Sequence, residues 1–77
     1  MNVLGHEISD QTIDAALRWF PPERSFTFND FQLALTRCGC PREVSDRAAD
    51  RILQKARKAG THVYSGGRWK RAKVRAL

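Results

Sequence analysis

Apolar residues recur along the first half of the chain at helical spacing. Ile13, Ala16, Leu17 and Phe20 stand at i, i+3, i+4 and i+7, so a helix over Gln11–Phe20 carries all four on one face. Ser9 or Asp10 supplies its N-cap, and Pro21-Pro22 ends it because proline cannot continue the amide ladder. Phe26-Thr27-Phe28 alternates apolar and polar, which suits a very short strand. A second helix is expected from Asp30 to Cys38, capped by Asn29 or Asp30. It turns Phe31, Ala34, Leu35 and Cys38 inward, and Gly39 is its left-handed stop.

The longest pattern follows. Val44, Ala48, Ile52 and Ala56 repeat every fourth residue, flanked by Ala49, Leu53 and Ala59, and Gly60 closes this third helix. Its start is open between Pro41 in the first turn and Ser45 as the cap. Thr61–Tyr64 and Arg68–Arg71 are β-favouring runs around Ser65-Gly66-Gly67, where glycines supply the positive backbone angles of a tight hairpin. Residues 72–77 continue as a strand extension or tail. The order is helix, short strand, helix, turn, longer helix, hairpin: an α+β chain, mainly α, forming one domain over residues 1–77. Phe26, Phe28, Phe31 and Trp69 read as core, and Trp19 as an exposed contact for a second subunit.

Seventy-seven residues support one small core and no deep substrate cavity. The apolar share of 42% and charged share of 29% are those of a chain that folds. Nowhere do about eighteen apolar residues run together, and the opening Met1–Glu7 lacks a basic start, so neither a membrane span nor secretion is expected and a cytoplasmic setting is. Cys38 and Cys40 are too close for an easy disulfide, and with His6 and His62 they match no familiar metal spacing. No nucleophile–base pair, phosphate loop or carboxylate cluster stands out, so neither an enzyme nor a metal or other cofactor is expected.

The charge is unevenly spread. Residues 1–40 hold three basic side chains against five acidic ones, whereas residues 41–77 hold eleven against Glu43, Asp46 and Asp50. A field of this shape attracts a polyanion. Arg47 and Arg51 lie four apart on the third helix; they either face a nucleic acid or pair with Asp50, Glu43 or Asp46 as a solvated face.

The order of elements, with Gly60 and then an aromatic-bearing hairpin strand at Trp69, resembles the winged helix-turn-helix family over about residues 9–72. The resemblance implies that the third helix is a recognition helix and the hairpin a short wing. By that likeness Arg47 and Arg51 contact guanine or phosphate, Arg42 flanks them, and Ser45, Gln54 and Lys55 extend the same surface. Tyr64, Arg68, Lys70 and Arg71 of the hairpin and Lys73 of the tail would then meet phosphates. The function implied is a DNA-binding regulator of transcription or replication that contacts duplex DNA, alone or as a homodimer. The alternatives are a module for structured RNA, or one for an acidic protein anchored by Trp19 or Tyr64.

Overall fold

A computed structural model describes residues 1–72, which form an α+β fold of three helices and two small antiparallel strand pairs. In chain order these are β1 (Asn2–Val3), β2 (His6–Glu7), α1 (Asp10–Leu17), α2 (Phe28–Arg37), a 3-10 turn (Arg42–Val44), α3 (Ser45–Ala59), β3 (His62–Ser65) and β4 (Arg68–Arg71).

Each helix begins where a side chain or a turn satisfies its first amides. Ser9 caps α1 by accepting the Thr12 amide, and the helix ends at Leu17, three residues before the expected Phe20. Helix α2 starts at Phe28, earlier than the expected Asp30. Thr27 accepts the Asp30 amide while the Asp30 carboxylate accepts the Thr27 amide, a reciprocal box that fixes the start. That bond, with the Thr27 hydroxyl, holds the Asp30 carboxyl below its ordinary range. Phe28 is therefore helical, and the expected strand shrinks to one residue. Ser45 does not cap α3: the helix follows directly on the 3-10 turn after Pro41, and no side chain caps it. Gly60, at φ +79°, closes it with its amide on the Ala56 and Arg57 carbonyls.

The C-terminal hairpin pairs Ser65 with Arg68 across Gly66-Gly67, both at positive φ (58° and 78°), a two-residue turn whose twist matches that of the strands. On the far side of β4, Phe26 pairs with Trp69 through bonds of 2.8 and 2.7 Å in the two directions. Strand β4 thus lies between β3 and the short segment that leads into α2. The inner face of the hairpin buries Trp69 and His62, and Tyr64 packs beside Trp69 at 4.8 Å between ring centroids.

The core lies where α1, α2, α3 and β4 meet. Phe26 is at its centre, 1% exposed, stacked on Phe20 at 4.7 Å and on Phe31 at 5.9 Å. Phe28 packs against its edge. Helix α3 contributes Ala48, Ala49, Ile52, Leu53 and Ala56, and small alanines on that stripe let α2 approach closely. Thr12 of α1 donates to the Cys38 carbonyl at the end of α2.

The N-terminal hairpin, β1–β2, is an element that the sequence pattern does not announce. Val3 and Ile8 bury completely, and the turn places Leu4 at φ +50° and Gly5 at φ +83°. A left-handed leucine costs about 1–2 kcal/mol, so contacts elsewhere must hold the turn. Asn2 supplies two of them: its side-chain oxygen accepts the Gly5 amide, and its carbonyl accepts Arg51 Nη1 at 2.8 Å.

Candidate nucleic-acid interface

Helix α3 buries Ser45, Ala48, Ala49, Ile52, Leu53 and Ala56 and leaves the rest of its surface in solvent. At ~100° per residue the exposed arc divides into two flanks. Arg47, Arg51, Lys55 and Lys58 share one; Asp46, Asp50 and Arg57 share the other, with Gln54 between them. Asp46 is thus set apart from the basic row, while Asp50 borders it and lines the same cleft as Arg51, Lys55 and Lys58. Neither Arg47 nor Arg51 makes an ion pair with Glu43, Asp46 or Asp50 among the described residues, where the side-chain pair is Arg18–Asp14. The solvated, self-paired face open to the sequence is not what forms. The Arg47 side chain makes no hydrogen bond to other described residues and is the exposed arginine nearest the start of α3, with Arg42 before it in the 3-10 turn.

Four of the expected contacts are placed differently. Ser45 is 1% exposed; it donates to the Arg42 carbonyl and accepts from Gln32 of α2, so it locks the helix pair and cannot meet a ligand. Arg51 spends one donor on Asn2, tying α3 to the N-terminal hairpin. Arg68 bonds the hydroxyl and carbonyl of Ser25, fastening β4 to the segment before α2. Arg71 donates to the Leu17 and Phe20 carbonyls at 3.4 and 3.1 Å, closing the C-terminal end of α1. Of the basic side chains in the hairpin strands, only that of Lys70 makes no hydrogen bond among the described residues, its backbone pairing with Val63. Tyr64 is half-exposed with its ring on Trp69. Lys73 lies outside the described residues.

Gln54 and Lys55 stand exposed together with Lys58, and all three line a cleft of about 510 Å³ between α3 and the N-terminal strand, completed by Met1, Asn2, Asp50 and Arg51. Neither Lys58 nor Asn2 is among the contacts expected from the sequence. The one trace of Asn2 in the sequence is an Asn three residues before a Gly, a turn signal too short to stand alone. A second cleft, of about 300 Å³, adjoins the first at Lys55 and runs between α1 and the end of α3, lined by Ile13, Leu17, Ile52 and Ala56.

Two titratable groups are pushed away from their ordinary values. Burial, with Glu43 nearby, raises the Cys40 thiol, so it stays protonated and inert; both cysteines are free. His62, 6% exposed at the base of the hairpin, is held below its ordinary 6.5 by burial first and the Arg71 cation second. The Thr61 hydroxyl lies 3.2 Å from the Ala56 carbonyl and 3.1 Å from His62 Nδ1, so Nδ1 has a hydrogen-bond partner. Nε2 is buried with no partner, and the imidazole meets the Phe26 ring edge-on at 6.3 Å between centroids. Protonating it would bury an unpaired cation. Because the folded value is the lower one, the unfolded chain takes up this proton first, and stability is complete above pH 6.5 and falls as pH drops below it. The urea midpoint should therefore decrease between pH 7.5 and 5.5, above the carboxylate range, and His62→Phe should flatten that slope. An unchanged slope in the variant would assign the pH dependence elsewhere.

Among the described residues no group of three or more metal-ligating side chains gathers, and no helix is long and apolar enough to cross a membrane. Compared with protein-family models, curated proteins and solved structures, the chain matches none.

Proposed function

We propose that the protein is a small winged-helix module that binds duplex nucleic acid, DNA in the first place, with α3 as the contacting helix, and that it serves as a regulator of transcription or replication. One observation carries the reading: the exposed row of Arg47, Arg51, Lys55 and Lys58 on α3, which makes no ion pair with Asp46 or with the bordering Asp50 among the described residues. A structural surface of this length would be expected to neutralise itself; one facing a polyanion is kept open. The α2–turn–α3 arrangement, with a tight hairpin after Gly60, supports it as fold analogy. Arg68 and Arg71 spend donors on Ser25, Leu17 and Phe20, so the hairpin keeps its positive field but has fewer donors free for direct contact, and α3 supplies most of those.

Fluorescence anisotropy against mixed-sequence duplex DNA and structured RNA, across a salt series, tests this. Duplex binding whose log affinity falls by about 0.9 per phosphate neutralised is the expected result. Arg47→Ala, which disturbs no internal bond, should weaken it by about 1–3 kcal/mol if the guanidinium reads a base. Binding of RNA but not DNA moves the target to RNA. Absence of both at moderate salt defeats the reading in favour of an acidic protein partner. One feature favours that second reading: Trp19 and Leu33, 51% and 59% exposed, line a shallow groove with Arg24 and Arg37.

A further inference from the structure

We propose that the cleft between the N-terminal hairpin and α3 is a seat for a phosphate oxyanion; for the source of that phosphate, the nucleic-acid backbone, the inference rests on the function proposed above. The cleft holds Arg51, Lys55 and Lys58 against the single carboxylate of Asp50, so its charge is positive, and Asn2 and Gln54 add neutral polar groups. Arg51, Lys55 and Lys58 follow one another at intervals of four and three, which sets them along one side of α3.

What separates this cleft from an ordinary basic surface is the position of Arg51. Its Nη1 is held at 2.8 Å by the Asn2 carbonyl, and Asn2 is itself fixed because its side chain accepts the Gly5 amide. A guanidinium has five N–H donors, so most of the fork remains for a ligand after that bond. A donor fixed before the ligand arrives loses little rotamer freedom on binding, and the planar fork matches the oxygens of a phosphate. Lys55 and Lys58 then act as point charges on longer, adaptable stems. Leu4, kept in a left-handed conformation by these same contacts, marks the hairpin as a part whose placement matters.

The polyanion is accordingly expected to cross α3 from Arg51 onward, beside the N-terminal hairpin. The six residues of α3 before Arg51 carry Asp46 and Asp50 and offer Arg47 alone as a cation.

Inorganic phosphate titrated at constant ionic strength, with chloride as the balancing anion, tests the site by amide chemical shifts in two-dimensional NMR. Saturable shifts at Asn2, Gly5 and residues 51–58 are expected. They should be lost in Lys55→Gln/Lys58→Gln, two exposed positions whose change leaves the core intact, and kept in Arg57→Gln, an exposed position on the opposite flank of α3. In the duplex titration the double variant should lower the salt slope by about 0.9 for each phosphate contact removed. Phosphate shifts confined to the cleft without duplex binding would support the site with free phosphate as its ligand, and would defeat only the nucleic-acid reading. Duplex binding with an unchanged slope in the double variant, together with no phosphate shifts in the cleft, would overturn this inference and leave that reading standing.

Discussion

Phe26→Ala is expected to leave the domain barely folded at room temperature. Phe26 is 1% exposed, and its ring stacks on Phe20 and Phe31 and edges His62. Truncating a buried aromatic costs about 3–5 kcal/mol. A domain of this length holds roughly 0.05–0.15 kcal/mol per residue in total, so the loss consumes a large part of what exists. Urea denaturation followed by far-UV circular dichroism gives the figure, with the half-buried Phe28→Ala as the comparison. If Phe26→Ala costs less than Phe28→Ala, the centre of the core lies elsewhere.

Arg71→Ala should cost about 1.5–3 kcal/mol, the usual range for hydrogen bonds that involve a charged group. The guanidinium reaches two carbonyls, Leu17 and Phe20, where α1 ends, and removing it leaves both without that donor. Arg71→Lys separates this from a phosphate-contacting role. Lysine keeps the charge but lacks the fork, so it should restore little stability if the arginine acts as a brace and should behave like the parent in a duplex titration. The substitution has a second expected signature. Arg71 is one of the two causes that keep His62 below its ordinary pKa, so Arg71→Ala should also soften the decline in stability between pH 7.5 and 5.5. A variant as stable as the parent would remove the brace from the account.

The three helices are legible because their stripes are long and their boundaries local: Ser9, Gly60 and the Gly66-Gly67 turn each act on near neighbours. The start of α2 is legible only in part. Thr27 and Asp30 spell a capping pair, yet Phe26-Thr27-Phe28 alternates like a strand, and the pairing of Phe26 with Trp69 decides how much of each survives. The N-terminal hairpin has strands of two residues, too short to show a period, and its turn puts leucine where local preference argues against it. Arginine is the residue that sequence reads least well here. A guanidinium bonds a phosphate, a carboxylate or a peptide carbonyl with the same fork, so nothing in the spacing of Arg51, Arg68 and Arg71 tells which acceptor the fold will present. Ser45 fails for a similar reason, since the group that claims its hydroxyl, Gln32, comes from another helix.

The bridge that joins β4 to the segment before α2 also sets an order of events. The Arg68–Ser25 bonds close a loop of 43 residues that contains all of α2 and α3. Closing a loop of that size is entropically unfavourable until its contents have collapsed, whereas a helix or a two-residue turn forms from neighbours. The helices are accordingly the early structure and the Phe26–Trp69 junction the late one. Substitutions confined to that junction should shorten the lifetime of the native state while leaving the rate of reaching it nearly unchanged.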